Sequence, residues 1–492
     1  MTNKHVDSEE SLNKSKPWSR KPTDQPDADG RIFRGGLTKY WQPYMADADL
    51  GDYHHAPESA VEDFKDLKYG IRIIWGVYSI IHGQASLVLL QNNGDYSKLA
   101  FQGFYHELYR SWYPHAFNAD RWTDMFKENG FKFFVLTNKH LDGFSMYDTK
   151  ATIYRRTKFF GENAGSIEDC NLNYSIMETP FKRDITGELV DAARKRDLKI
   201  GLFYSHVDWY DADMRFDETN PNFDSAYSPE SEHGPWGRAC ERHKLQIKEL
   251  LSKYGKVDML CFDSYWPAFT WKHIQSVIRY ARRLQPKCMF RWRGIGNYGD
   301  YYTPQNCTPD PDEDMGTMPW QLIQTISKRN LFSYEPDEQY IQSGEWIIAT
   351  LIDTVAKGGN LMVAAGPDST GTWHPKVLES LDYAGKWLKI NGEAIYKTRP
   401  CNTCKDGNIY FTRSKDNSQL YAISMKWTGN SIRINNVTMK KEEVYLLGYS
   451  QALKWEHGNG GINISLPAEL QKEENRPCKP AYTFKIAGEQ TR

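Results

Sequence analysis

"VDMLCFDSYWP", residues 257–267, decides how this chain is read. Five of its first six residues are apolar, which suits a short buried strand. The run then meets a carboxylate, Asp263, followed by Ser264, Tyr265 and Trp266. An ionised carboxylate is costly to bury unless it is paired. Its place at the end of a core strand therefore marks where that strand opens onto a polar site.

The same texture extends in both directions, from 61 to 395. Short apolar runs recur as "GIRIIWGVYS" (70–79), "FKFFVLTN" (131–138), "LKIGLFYS" (198–205), "CMFRWR" (288–293) and "NLMVAAG" (360–366). Between them "ITGELVDAARKRD" (185–197), "ACERHKLQIKELLSKYG" (239–255) and "SGEWIIATLIDTVAKGG" (343–359) carry apolar residues at helical spacing. Strands alternating with helices imply a parallel sheet. This many units predict an α/β fold, a (β/α)8-like TIM barrel with some strands still unrecognised. From 396 to 492 the runs become short and turn-bounded, as in "NIYFTRS", "QLYAISMKW" and "AYTFKIAG". That pattern predicts a C-terminal antiparallel β-sandwich. Residues 1–60 read as a polar tail and lead-in.

Composition narrows the function. The 62 basic and 63 acidic residues balance, which argues against a nucleic-acid partner recruited by bulk charge. No apolar run approaches the ~20 residues of a membrane span. The polar N-terminus carries no signal peptide. It reads as the start of an exported chain without its leader, periplasmic or secreted, with the cytoplasm as the alternative. Aromatics form 14% of the chain, a surplus that serves either sugar stacking or a large core. Of eight cysteines only Cys401 and Cys404 form a CxxC, read as a loop without further metal ligands nearby. Oligomeric state is not legible.

In barrels of this kind the active site forms at the C-terminal ends of the strands. Polar groups gather there: Lys139, His140 and Asp142; Tyr204, His206, Asp208 and Trp209; Asp263; Arg291, Trp292 and Arg293. Any one suits a capped loop or structural ion pair, but their convergence on one mouth favours a site. Cations beside Asp263 would keep it ionised. An ionised carboxylate can attack an anomeric carbon, with a second carboxyl group protonating the leaving oxygen.

The motifs "WGVYS" (75–79), "KHLDGF" (139–144), "TPFKRDI" (179–185), "FDSYWP" (262–267), "GDYYTP" (299–304), "GGNLMVAAGPDSTGT" (358–372) and "NGEAIYKTRP" (391–400) together resemble the α-L-fucosidases, family 29 of the glycoside hydrolases. The resemblance runs from about 64 to 400 and more weakly beyond. It implies an exo-acting, retaining hydrolase of terminal α-L-sugars, without metal or cofactor, whose nucleophile is Asp263. It maps sugar contacts onto His140, Tyr204 and Arg293; Trp75, His206 and Trp266 are further expected contacts.

Four departures stand out. Ile74 and Leu141 occupy positions where the family usually has histidine, and Cys261 one where it usually has tryptophan. Gln305 and Gln321 stand where subgroups place the acid/base glutamate. An amide cannot donate a proton as a carboxylic acid does. The expected replacement is Glu335, with Asp310, Asp312, Glu313 and Asp314 as the other candidates. A changed pocket containing Ser333 and Glu335 also makes α-L-galactose a candidate sugar beside α-L-fucose, because apolar pockets reject an added hydroxyl only weakly. The expected partner is a fucosylated or L-galactose-bearing glycan, the latter pointing to algal galactans. The alternative is a catalytically impaired sugar-binding member of the same fold. For the C-terminal domain, Tyr421, Trp427 and Trp455 could bind polysaccharide, although buttressing of the barrel is the plainer role.

Overall fold

The structure, a computed structural model, describes residues 43–45, 50–90, 98–216, 220–225, 227, 233–306, 308–309 and 318–490. Strands in chain order are β1 (Tyr69–Ile73), β2 (Phe133–Lys139), β3 (Ile153–Thr157), β4 (Ile167–Leu172), β5 (Lys199–Ser205), β6 (Met259–Asp263), β7 (Met289–Phe290), β8 (Gln321–Thr325) and β9 (Asn360–Ala365). Seven of them form a parallel sheet in the order β7-β6-β5-β2-β1-β9-β8. Residues 301–305 run between its two edges. Parallel bridges Arg291–Tyr301, Tyr302–Trp320 and Gln305–Ile323 join β7 to β8 and curl the sheet into a (β/α)8-like barrel. Every residue of β1, β2, β6 and β9 is buried, as expected where helices cover one face and a packed lumen fills the other.

Local chemistry sets the helices. Ile185–Arg194 begins where the Asp184 carboxylate accepts from the Gly187 amide. Gly344–Ala356 begins where Ser343 accepts from the Trp346 amide. The helix expected from 239 starts earlier, spanning His233–Ser252.

Some sequence expectations need correction. The run 70–79 is strand only to Ile73; Val77–Ile81 turns into a 3-10 helix. The run 288–293 keeps only two ladder residues before its arginines turn towards the mouth. β8 escaped notice because "QLIQT" mixes amides with apolar residues. The β3–β4 hairpin escaped notice because it is partly exposed and lies outside the barrel. "CNTC" is part of a strand rather than a loop.

The C-terminal domain contains β10 (Arg399–Asp406), β11 (Ile409–Arg413), β12 (Leu420–Ser424), β13 (Ser431–Asn435), β14 (Val437–Leu446), β15 (Trp455–Gly458), β16 (Gly461–Ser465) and β17 (Tyr482–Gln490). One antiparallel sheet has the order β10-β11-β12-β17-β14 and the other β13-β16-β15. Phe411, Ile434, Val444, Ile464 and Ile486 belong to a core of their own. The domain docks through the Trp387 indole N–H on the Ala481 carbonyl at 2.9 Å and Arg399 on Asp66 at 2.9 Å. Two aromatics considered for polysaccharide binding are engaged in packing. Tyr421 donates to Glu393, and Trp427 lies under Arg476 and edge-on to Tyr482. No helix among the described residues is long and apolar enough to cross a membrane.

Candidate active site

Parallel pairing of β5 with β6 sets Asp263 opposite Ser205, at the C-terminal end of both strands. Arg291 follows β7 directly, and its amide donates to Leu260 of β6 at 3.0 Å. Its guanidinium donates to the Phe262 carbonyl at 2.6 Å and to Asp263 Oδ1 at 2.8 Å. Arg293 donates to the same Oδ1 at 3.1 Å, and to the Thr303 carbonyl and Gln305 Oε1 at 3.1 Å each. Asp263 Oδ2 accepts no hydrogen bond among the described residues.

Burial alone would raise the pKa of Asp263. The nearby Arg291 and Arg293, with His140, outweigh it and hold the carboxyl below its usual range. The backbone is tight here. Ser264 adopts φ +63°, a left-handed conformation unusual for a side-chain-bearing residue. Gly294 (φ +73°) approaches so closely that a Cβ there would lie 2.1 Å from the Ser264 carbonyl oxygen. The turns after the acid and after the arginines thus lock together.

Asp263 opens into a cavity of about 410 Å³. Arg72, Arg291 and Arg293 line it with Asp263; Phe203 and Trp209 supply aromatic surface; Ile74, Leu141, Ile323 and Phe332 make an apolar lining. His140 also lines it. Its Nδ1 bonds to the Ser86 hydroxyl, and its ring stacks on Phe203 at 5.6 Å. Burial pushes its pKa down to about 4, so the imidazole is neutral near pH 7.

Of the catalytic and sugar-contact residues expected from sequence, the structure brings Asp263, His140 and Arg293 to this cavity, together with Trp209 and Arg291 from the polar strand ends. Trp75, Tyr204, His206, Trp266 and Glu335 do not line it. Trp75 packs among Trp112, Phe117 and Trp122 and donates to the Asp368 carbonyl. Tyr204 donates to Gln246 behind the strand, and His206 bonds to His243. Trp266 stacks near His243 and His273. Lys139 and Asp208, both fully buried, pair with each other at 3.8 Å.

Glu335 is bound within its own loop, by Ser327, Arg329 and the Asp337 amide. Of the two glutamines, Gln305 lines the cavity, whereas Gln321 is wholly buried with its amide nitrogen 3.8 Å from the Met259 sulfur. Asp310, Asp312, Glu313 and Asp314 lie outside the described residues. Sequence reasoning missed Arg72, Phe203, Ile323 and Phe332. Only Arg72 had left a signal, a charge inside the apolar run "GIRIIWG".

A model of the α-L-fucosidase family matches residues 44–393, across the barrel and its site, and one of the α-L-fucosidase C-terminal domain matches 402–487. The chain belongs to the α-L-fucosidase family. It is 26% identical over 454 residues to the tissue α-L-fucosidase of Bos taurus, covering 86% of this chain and 88% of that one. It is 29% identical over 462 residues to the plasma α-L-fucosidase of Homo sapiens, covering 86% and 89%. Among solved structures, a GH29 α-L-fucosidase from Bacteroides thetaiotaomicron superposes with TM-score 0.71 at 24% identity, covering 88% of this chain and 96% of that one. The α-fucosidase of Thermotoga maritima in complex with fucose does so with TM-score 0.66 at 23% identity, covering 88% and 97%. Family membership makes the chain a glycosidase of the α-L-fucosidase type.

Proposed function

We propose that this chain releases terminal α-L-fucose from fucosylated glycans by a retaining double displacement at Asp263. The observation that carries this reading is the asymmetry of the carboxylate. Both guanidinium bonds fall on Oδ1, and Oδ2, which accepts none among the described residues, is the oxygen that attacks. In the first step Oδ2 bonds to the anomeric carbon while the bond from that carbon to the leaving oxygen breaks. In the second, water adds to the anomeric carbon and its proton passes to the departed leaving oxygen through solvent, while the ester bond breaks and the carboxylate returns, so configuration is retained overall. Arg291 and Arg293 keep the nucleophile ionised and receive its charge again at the end. Gln305 can donate a hydrogen bond to the leaving oxygen but cannot give it a proton. An aryl leaving group departs without that proton, whereas release from a glycan calls for an acid beyond Gln305, for which Asp310, Asp312, Glu313 and Asp314, outside the described residues, remain the candidates.

Fucose is preferred over L-galactose because Ile74, Leu141, Ile323 and Phe332 offer its methyl group an apolar surface. The two polar residues that suggested galactose bond elsewhere, Ser333 to the Gly83 carbonyl and Glu335 to its own loop. A crystal structure of the Bacteroides relative holds a covalent intermediate, trapped with 2-fluoro-fucosyl fluoride in a glutamate-to-glutamine mutant. The same reagent tests this chain. Peptide mapping by mass spectrometry is expected to find the 2-fluoro-fucosyl group on Asp263. Labelling of another residue, or none, would sink the double displacement and favour a sugar-binding remnant. Faster hydrolysis of an aryl α-L-galactoside than of the fucoside would overturn the choice of sugar.

A further inference from the structure

Arg72 is the least expected residue of the cavity. It lies on β1 within an otherwise apolar strand and is 1% exposed. One of its guanidinium nitrogens, Nη1, anchors it, donating to the Ile73 carbonyl at 2.9 Å, the Val135 carbonyl at 3.2 Å and Thr137 Oγ1 at 2.9 Å. Its guanidinium carbon lies 4.0 Å from the centre of the Phe203 ring, where that of Arg291 lies at 5.2 Å. Among the described residues its buried Nε has no hydrogen-bond partner and Nη2 makes no bond. Burial pushes its pKa down to about 10, which still leaves it protonated near pH 7; Arg291 repels this cation and Asp263 attracts it.

The charges around the cavity do not balance. Among the described residues that line it, three guanidiniums face one carboxylate, with His140 neutral. The imbalance grows during the reaction proposed above, because the glycosyl ester at Asp263 carries no charge. Arg72 and Arg291 would then share a largely buried space with no counter-charge among the described residues, an expensive arrangement. A neutral fucosyl ring supplies none. A substituent bearing a negative charge does, and guanidinium groups match the geometry of oxyanions.

We propose that the sugar bound here carries an anionic substituent, a sulfate ester on a ring hydroxyl, held by Arg72 with Arg291. Arg72 is thus a specificity-determining residue, and the substrate class is a sulfated α-L-fucoside. This rests on the fucosidase reading above and refines it. The deep position of Arg72, anchored to β1 and β2, places the anion on the bound sugar rather than on the departing group.

The test compares kcat/KM for 4-nitrophenyl α-L-fucoside and its 2-, 3- and 4-O-sulfates. At least one sulfate is expected to be preferred by about tenfold or more, the scale of one charge-assisted hydrogen bond. Arg72→Met should lower that sulfate-to-plain ratio about tenfold or more, and Arg72→Lys should restore part of it. A plain fucoside preferred over all three sulfates, or a ratio unchanged in Arg72→Met, overturns the proposal. Should Arg72→Met fail to fold, competitive inhibition of the unmodified chain by L-fucose and its monosulfates decides the matter, with sulfates no tighter than fucose as the refuting result. A uronic analogue, 4-nitrophenyl α-L-galacturonide, preferred over every sulfate would also refute the sulfate assignment. Turnover of the plain fucoside alone defeats only this inference. No turnover and no labelling of Asp263 by any fucosyl donor defeats the fucosidase reading itself.

Discussion

Asp263 and the loop carboxylate Glu335 are alike in most respects that sequence or burial can register. They are 8% and 3% exposed, and each is paired with arginine. The difference lies in where the lone pairs go. Arg291 and Arg293 both bond to Oδ1 of Asp263, and its second oxygen accepts no hydrogen bond among the described residues. At Glu335 both oxygens are consumed. Oε1 accepts from Arg329 and from the Asp337 amide at 3.2 Å, and Oε2 from Ser327 at 2.7 Å and Arg329 at 3.1 Å. Burial and an arginine partner therefore do not identify a reacting acid. A free oxygen that opens onto a cavity does.

Exchange of the two acids puts this contrast at risk. Asp263→Asn should lower kcat/KM on an activated aryl fucoside by at least about a thousandfold, since the amide cannot form the glycosyl ester. A smaller loss would move the nucleophile elsewhere. Glu335→Gln should change the same rate by less than about threefold while destabilising the fold by about 1–3 kcal/mol through lost charge-assisted bonds, measured by denaturant unfolding. A hundredfold loss of activity with unchanged stability would instead make Glu335 the missing acid.

The smallest expected effect is in the pH profile. Because the pKa of Asp263 is depressed, the carboxylate is already ionised at mildly acid pH. Its contribution to stability is likewise present above its unfolded pKa and lost only as pH falls through the lower folded value. On a substrate with a good leaving group, kcat/KM should vary less than about twofold between about pH 5 and 8, with its acid limb below the usual aspartate range. A limb near pH 6 would point to Asp142, whose pKa burial pushes up to about 6.

Much of the barrel was legible because its strands are long apolar runs that end in polar groups. β6 and β2 are examples, and Asp263 and His140 follow from them. β8 was not legible, since its mixture of amide and apolar residues, "QLIQT", suits a loop as well as a lumen wall. Nor was the closure of the barrel through 301–305, which has no regular ladder. Trp75, Tyr204, His206 and Trp266 stand close to the cavity in sequence but not in its wall. A strand alternates its side chains, and a turn redirects them, so one residue's shift in register separates a wall residue from a packed one.

The sequence by itself determined the barrel, the β domain after it and the family, because periodicity and motif order survive without coordinates. It also determined that amides stand at 305 and 321. Tertiary structure alone decided that Gln305 reaches the cavity while Gln321 is buried in the barrel, and that Glu335 is bound within its own loop. It also decided that Arg72 joins Arg291 and Arg293 around one carboxylate. The physical reason is that pairing and burial of charge depend on side chains brought together from distant strands. Arg72 and Asp263 face one space only because the sheet curls.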